Sequence, residues 1–400
     1  MTRKSRLFGA TLLVAGCCIG AGMLGMPTIS ALAGFFPTSI FFVLLWLFMA
    51  LTGIALAEVA LSFKEDVNLM TMAHHFLGPI GRIVTGGLFL FLFYSLLVAY
   101  LSGSGQLIED FTQKAFGITI PSFLENAILL IPISILLFIG TKAIDECNRI
   151  FILGLIVTFI ALIVLGLPHI QIENLMRSSW KDTLFIAAPM AISFGFHNLV
   201  PSLTRYLKKN AKDIRFCILV GSAIPLALYI VWECVILGIL SIQDKEAFKA
   251  ILQSGDMPTR ILRASSSATW TTNLMEYFSF FAIATSLIAI ALSFVDFLSD
   301  GLHIKKTAKG KPVLIALCLV PPFLISGFYP KLFLTALSYA GAFGAMTLFG
   351  IIPCLMLYKG RYKEKWRAPK LLPGGKMMIG ILFFSAILII VLEIYSWRLK

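Results

Sequence analysis

Two stretches decide the fold of this chain: AGCCIGAGMLGMP at residues 15–27 and PMAISFGFHNLVP at residues 189–201. Both lie within apolar segments, where a membrane helix should be regular. Glycine weakens a helix interior, and proline removes a backbone donor and clashes with the preceding turn, so both segments are predicted to unwind. Unwound backbone in a membrane requires burial by protein or a lining cavity. Paired breaks in two halves of a chain are typical of secondary-transporter binding sites.

The composition indicates a membrane protein. Apolar residues make up 58% of the chain, charged residues only 13%, and phenylalanine alone occupies 34 of 400 positions. Such a chain has too little polar surface to cover a water-soluble globule. We therefore predict an all-α polytopic membrane protein that contacts membrane lipid.

Eleven segments are long and apolar enough to cross a bilayer, which takes about 20 residues for ~30 Å of hydrocarbon. They are residues 7–33, 38–63, 80–108, 122–140, 149–167, 182–204, 214–240, 271–297, 313–329, 332–357 and 377–396. We predict one transmembrane domain over residues 1–400, with inverted repeats at about 7–167 and 182–357 and an additional helix at 377–396.

The net charge of +13 does not indicate a nucleic-acid partner, because lysine and arginine are sorted by side. With the amino terminus in the cytoplasm, most basic residues fall on the cytoplasmic side. They lie at residues 3–6, 64–82, 141–149, 205–215, 305–311 and 359–376. The positive-inside rule then predicts a cytoplasmic amino terminus and an external carboxyl terminus. A cleavable signal peptide is the alternative for the first segment, although that segment exceeds the usual apolar length.

Several other functions are disfavoured. Gly20, Gly22 and Gly25 match the dinucleotide motif G-x-G-x-x-G, but the strand and helix that this motif requires are missing. The glycines also suit close helix packing. The seven cysteines lack C-x-x-C spacing, and the His74-His75 pair lacks further nearby ligands, so no metal or cofactor is expected. We find neither a catalytic motif nor the ring-forming filter of a channel, which predicts a carrier.

A pair of broken helices suits a zwitterionic ligand. Amide donors at the start of a half-helix favour a carboxylate, and the helix dipole adds to this preference. Freed carbonyls at the end of the other half favour an ammonium group or a cation. An amino acid satisfies both ends at once.

The glycine-rich first span, the string SFGFHNLVPSL at 193–203, the length and the eleven spans resemble the bacterial aromatic amino-acid permeases, which include tyrosine-specific and tryptophan-specific members. The resemblance covers essentially the whole chain. It implies a five-plus-five inverted repeat with broken first and sixth helices, as in the amino acid, polyamine and organocation superfamily. It also implies proton-driven uptake across the bacterial inner membrane, with substrate between the first, third, sixth and eighth helices.

The resemblance further implies which residues bind substrate. Backbone groups of the first break would hold the carboxylate and amine; these are Cys17, Cys18, Gly20, Ala21 and Gly22. Ser193, Gly195 and Phe196 would line the same pocket, and Phe194, Phe196 and His197 would frame the side chain. A third-span tyrosine near the carboxylate would be Tyr94 or Tyr100. For any one aromatic residue, a packing or lipid-facing role is the alternative.

The coupling ion stays open between proton and sodium. Ala282, Thr285 and Ser286 match the sodium-site pattern A-x-x-T-S of related transporters, which carbonyls of Gly16 and Ile19 would complete. Some proton-coupled relatives place a lysine of the fifth helix there instead, but residues 149–167 contain none. The alternative is that Thr285 and Ser286 bond to carbonyls of their own helix.

Ionisable residues inside spans are costly and mark functional sites, and here the candidates are His197, Glu233 and Glu276. His197 lies in the second break, where an imidazole can accept a hydrogen bond from a phenol. We therefore predict tyrosine as the preferred substrate, with a tryptophan or broader neutral amino-acid permease as the alternative.

Overall fold

The computed structural model describes residues 2–396 apart from 66, 241, 243–247, 250, 251, 253, 266–268, 365 and 367. This described part is helical and contains no strand. Its first half forms α1 (Arg3–Cys18), α2 (Met26–Ser30), α3 (Phe35–Leu61), α4 (Leu69–Phe116), α5 (Ser122–Ile139), α6 (Thr141–Gly166) and α7 (Ile172–Met176). The second half forms α8 (Ala187–Ser193), α9 (Val200–Tyr206), α10 (Ala211–Ile239), α11 (Pro258–Ser265), α12 (Thr269–Leu302), α13 (Gly310–Phe328), α14 (Phe333–Tyr339), α15 (Ile352–Tyr358) and α16 (Gly375–Ser396).

The spans agree with an all-α multi-pass membrane protein. Among the described residues, nine helices are long and apolar enough to cross a membrane. The first predicted span makes a tenth, as a pair of helices bent by 45° at a short break. The sixth predicted span consists of shorter pieces: Trp180–Ile186, α8, a turn and α9. None of these pieces is long enough to span alone, so the sixth predicted span is not one continuous helix.

The first break is formed by two extended residues. α1 ends at Cys18, Ile19 adopts φ −83° and ψ 114°, and Gly20 is fully extended. The chain then continues as a 3₁₀ turn, Ala21–Gly25, and as α2. Pro27 lies in the first turn of α2, where its missing N–H would have no helical acceptor. The predicted unwinding therefore occurs, and the proline begins the second half-helix.

The sixth span also breaks, through turn-like and not extended residues: Phe194 has φ −95° and ψ 19°, and Phe196 has φ −119° and ψ 4°. α8 ends at Ser193, the Gly195 N–H donates to the Ile192 carbonyl at 2.8 Å, and a 3₁₀ turn over His197–Leu199 leads into α9. Pro201 lies in the first turn of α9. Both glycine–proline stretches thus encode a helix end followed by a helix start, as predicted from sequence.

Several helices extend beyond their predicted limits; α4 ends at Phe116 and not at 108, and α6 begins at Thr141 and not at 149. The third span was predicted to begin at residue 80, but α4 begins at Leu69, where the Asn68 side chain accepts from the Thr71 N–H. It bends at Gly78, whose φ of 76° is left-handed, before Pro79. The tenth span continues through a π-helical segment to Lys363. The amino-terminal extension of the third span contains two histidines, a glycine and a proline, and that of the tenth span contains lysine and arginine, so a search for apolar runs misses both.

The broken helices lie inside the bundle. α1 packs on α10, α6 packs on α12, and α8 packs on the 3₁₀ turn of the first span and on the π-helix Ala340–Ile351. Large apolar side chains are exposed on outer helices, for example Ile131 and Ile135 on α5, and Phe384 on α16. An apolar exterior over a polar interior break is typical of a helix bundle in a bilayer.

Ion pairs tie the helices at both ends of the bundle. At one end, called the amino-terminal face, Arg3 contacts Asp213 at 2.6 Å, and Glu58 contacts Arg361 at 2.5 Å. At the opposite face, α11 places Arg260 and Arg263 against Asp110 of α4, at 3.0 and 3.1 Å. The predicted division into inverted repeats stays a prediction.

Candidate functional site

The first break is in close contact with two serine side chains. The Ala21 N–H donates to Ser286 Oγ at 2.9 Å. A Cβ added at Gly20 would lie 2.5 Å from Ser286 Oγ, and one at Gly22 would lie 2.6 Å from Ser193 Oγ. These distances are below van der Waals contact, so both glycines are required for the first span to approach α12 and α8.

One tyrosine joins the two breaks, and sequence reasoning missed it. The Tyr229 hydroxyl lies within hydrogen-bond distance of the Cys18 carbonyl and, at 2.9 Å, of the Ser193 carbonyl. These carbonyls belong to the last residues of α1 and α8, where helical acceptors lack intrahelical donors. Tyr229 is fully buried on α10. The sequence offered one signal for Tyr229, namely a tyrosine hydroxyl within an apolar span.

Aromatic rings surround the sixth break. Phe194 packs edge-on against Phe42, with ring centroids 6.2 Å apart, and against Tyr229, at 5.1 Å. His197 stacks between Phe196 and Phe349, at centroid distances of 5.0 and 4.6 Å. All of these rings are buried. Phe194 thus contacts Phe42 and Tyr229, whereas Phe196 and His197 form a stack with Phe349.

His197 has one engaged and one free nitrogen. Its Nε2 lies 3.0 Å from Thr52 Oγ1, and its Nδ1 has no hydrogen-bond partner among the described residues. The Thr52 hydroxyl also reaches the carbonyls of its own helix at Phe48 and Met49, at 3.1 and 3.2 Å. Because the Thr52 hydroxyl donates its hydrogen to its own helix, its oxygen accepts from His197 Nε2–H. We therefore assign the Nε2–H tautomer from the hydrogen-bond network. Nδ1 is then a buried, unused acceptor.

The two third-span tyrosines lie in different surroundings. The Tyr94 hydroxyl donates to the Leu317 carbonyl at 2.8 Å, and its ring packs against Phe294. Tyr100 is buried, and its hydroxyl lies near the Ser286 side chain beside the first break. The structure thus brings Tyr100, and not Tyr94, to the break.

The residues of the possible sodium site are only partly assembled. Thr285 Oγ1 donates within its own helix, to the Phe281 carbonyl at 2.9 Å and to the Ala282 carbonyl at 3.0 Å. Ser286 contacts the Ala21 N–H instead. Gly16 and Cys17 are exposed, Ile19 is half-buried, and no atom lies within 4 Å of a Cβ placed on Gly16. The described residues include no group of three or more His, Cys, Asp or Glu suited to a metal ion.

The structure brings most predicted substrate residues to the two breaks. Those at or beside the breaks are Cys18, Gly20, Ala21, Gly22, Tyr100, Ser193, Phe194, Gly195, Phe196 and His197. Cys17 is exposed one residue before the first break. Tyr229, Thr52, Phe42 and Phe349 complete this region.

Known proteins resemble the chain along nearly its whole length. It is 32% identical over 391 residues to the tyrosine-specific transport system 1 of Haemophilus influenzae, covering 96% of each chain. It is 28% identical over 369 residues to a tryptophan-specific transport protein of Pseudomonas aeruginosa, covering 90% of this chain and 88% of that one.

A solved structure shares the fold. The crystal structure of MhsT in complex with L-phenylalanine superposes with a TM-score of 0.65 at 15% sequence identity, covering 97% of this chain and 98% of that one. This likeness supports the predicted fold class. The sequence profile of the tryptophan/tyrosine permease family matches residues 3–393. The chain therefore belongs to the tryptophan/tyrosine permease family.

Proposed function

We propose that the protein carries aromatic amino acids, preferentially tyrosine, across the bacterial inner membrane by cation symport with alternating access. The observation that carries the proposal is the contact of the two helix breaks, whose carbonyl ends at Cys18 and Ser193 meet at the Tyr229 hydroxyl. Two breaks in contact offer donors and acceptors to one small zwitterion. The names of the tyrosine-specific and tryptophan-specific relatives support this substrate class.

The first break is the proposed site for the amino-acid backbone. Ser286 Oγ accepts from the Ala21 N–H, so the hydroxyl hydrogen of Ser286 is available to donate to a carboxylate. The positive end of the following half-helix also favours that carboxylate. The carbonyls that end α1 and α8 are proposed to receive the ammonium group, and Tyr100 to line the carboxylate side.

The sixth break is the proposed site for the side chain. Phe194 and Phe196 offer ring contacts, and the unpaired His197 Nδ1 is an acceptor for a phenol O–H. Phenylalanine would leave this acceptor unpaired, which disfavours it relative to tyrosine. Tryptophan is the second candidate, because an indole N–H can donate to the same nitrogen.

The proposed orientation places the amino-terminal face in the cytoplasm, because basic residues concentrate on that side. A reporter inserted within residues 359–376 is expected to be cytoplasmic. A reporter after Lys400, a residue outside the described part of the chain, is expected to be external. A cytoplasmic carboxyl terminus would contradict the count of eleven spans.

Uptake of labelled tyrosine into proteoliposomes tests the function. With an imposed proton or sodium gradient, we expect accumulation above the external concentration, which neither a channel nor an enzyme produces. Preloading with unlabelled tyrosine should accelerate entry of the label, because a carrier exchanges one molecule for another. Equal entry with and without preloading would argue against a carrier.

A further inference from the structure

Glu233 is a carboxyl group buried in the middle of the bundle. It lies on α10, one helical turn after Tyr229, and has no exposed surface. Its Oε2 accepts from Ser30 Oγ at 2.8 Å, whereas its Oε1 has no hydrogen-bond partner among the described residues. The site described above does not use this side chain.

No counter-ion accompanies Glu233 within the described part of the chain, and a cluster of aromatic rings lies beside it around the adjacent residue of α10. The adjacent Trp232 packs against Phe159 and Phe278, with ring centroids 5.8 and 4.8 Å away. Ser30 is the polar group that contacts the carboxyl. The ionised form is therefore strongly disfavoured while this region is closed, since a buried carboxylate requires a charge partner or several donors.

Titratable groups on the helices packed against α10 are engaged elsewhere or lie far along their helices. On α1, Arg3 pairs with Asp213, and Cys17 and Cys18 are near the break; on α3, Glu58 pairs with Arg361. On α6, Asp145 pairs with Arg149. That pair, together with Lys142, Glu146 and Cys147, lies about 15 Å or more along the helix from Phe159, which contacts Trp232.

The connection before the sixth span also contains titratable residues. Glu173 is exposed, and His169 contacts the Leu165 carbonyl. Arg177 donates to the carbonyls of Asn174, Leu240 and Ile242. α2 carries no titratable residue. On α10, Tyr229 and Cys234 are near Glu233, whereas Lys212, Asp213, Arg215 and Cys217 lie about 24 Å or more along the helix from it.

The partner of Glu233 belongs to the moving part of the proposed transporter. Ser30 is the last residue of α2, the half-helix that follows the first break. Alternating access requires such half-helices to shift relative to the rest of the bundle. A shift of α2 would separate Ser30 from Glu233 and admit water to the carboxyl, which would then ionise.

We propose that Glu233 binds the proton that drives substrate uptake. The inference rests on the proposed function and names its coupling ion. The carboxylate takes one H⁺ from external water to give the neutral acid, the region closes around it, and the same H⁺ is released to cytoplasmic water after the site opens inward. One positive charge thus crosses with each zwitterion, and no electrons are transferred.

The test compares exchange with gradient-driven uptake in proteoliposomes containing Glu233→Gln, in sodium-free buffer. With one proton per substrate, a gradient of one pH unit supports up to about tenfold accumulation of tyrosine. We expect wild type to approach that ratio. For Glu233→Gln, the ratio of internal to external tyrosine is expected to stay at about one. This variant should still exchange labelled for unlabelled tyrosine at equal pH, and its uptake should no longer show the pH dependence of wild type.

Glu173→Gln is the matched control, because it makes the same change at an exposed carboxyl and should behave as wild type. Accumulation by Glu233→Gln equal to wild type would overturn the proposal. Failure of wild type to exchange tyrosine at all would instead reject the proposed function.

A second variant covers the case in which Glu233→Gln is absent from the membrane. Glu233→Asp keeps an ionisable group but moves it by about one methylene, so we expect driven uptake with a displaced pH profile. An unchanged pH profile in Glu233→Asp would overturn the proposal. A pH-sensitive dye inside the vesicles gives an independent readout, since tyrosine entry should acidify wild-type vesicles and leave Glu233→Gln vesicles unchanged.

Discussion

Each of the two helix breaks ends one half-helix and begins the next through a 3₁₀ turn, but the breaks differ in their surroundings. Small residues and hydroxyl groups border the first break, where Ser286 and Ser193 lie close to Gly20 and Gly22. Aromatic rings border the sixth, where His197 lies between Phe196 and Phe349. The comparison suggests that the first break binds the groups common to all amino acids and that the sixth distinguishes side chains. Changes at the first should abolish transport, and changes at the sixth should alter selectivity.

The largest expected effect is that of Gly22→Val. The new Cβ would lie 2.6 Å from Ser193 Oγ, so the first break and α8 must separate. Overpacking of this kind costs about 1–3 kcal/mol and displaces the groups proposed to hold the carboxylate. We expect tyrosine uptake below detection with normal amounts of protein in the membrane. Gly380→Val is the matched control, because no atom lies within 4 Å of a Cβ at Gly380; normal uptake by Gly22→Val would rule out the role of this contact.

Next in size is Tyr229→Phe, which tests whether the two breaks act together. Removal of the hydroxyl leaves the Cys18 and Ser193 carbonyls without their shared donor. An unsatisfied buried group costs about 1–3 kcal/mol, so we expect uptake to fall by roughly 10–100-fold. Tyr277→Phe removes a hydroxyl from an exposed ring and serves as the control. Wild-type rates in Tyr229→Phe would mean that the breaks function without this link.

A smaller effect, on selectivity alone, is expected from His197→Ala. If Nδ1 accepts from the phenol, loss of the imidazole should reduce the preference for tyrosine over phenylalanine by about tenfold, the equivalent of one hydrogen bond. Competition assays with unlabelled tyrosine, phenylalanine and tryptophan measure this preference. An unchanged ratio in the variant would remove His197 from the selectivity argument. Tryptophan competing better than tyrosine in wild type would reverse the substrate assignment.

The smallest expected effect is that of Thr285→Ala. The Thr285 hydroxyl donates to carbonyls of its own helix, and such bonds have only weak effects on stability. We therefore expect the free energy of unfolding to change by no more than about 1 kcal/mol. If the proton is the coupling ion, accumulation in sodium-free buffer should persist in the variant. Uptake that requires sodium in wild type, and loses this requirement in Thr285→Ala, would establish the sodium site instead.

Much of the architecture could be predicted because it depends on local chemistry. Apolar length predicts the spans, since a bilayer requires about 20 such residues in a row. The helix breaks follow from backbone preferences: glycine weakens a helix interior, and Pro27 and Pro201 fit the first turn of a helix. Neither feature depends on which other helix lies nearby.

The site required the tertiary structure, because its contacts join residues far apart in sequence. Tyr94 and Tyr100 lie six residues apart on one helix and therefore point about 120° apart, and only the packing of α4 decides which of them faces the break. The partners of Tyr229 lie 211 and 36 residues away, and Ser30 lies 203 residues from Glu233. Sequence identified Glu233 as an ionisable residue within a span but missed Tyr229, and the packing of the helices determined what each of them binds.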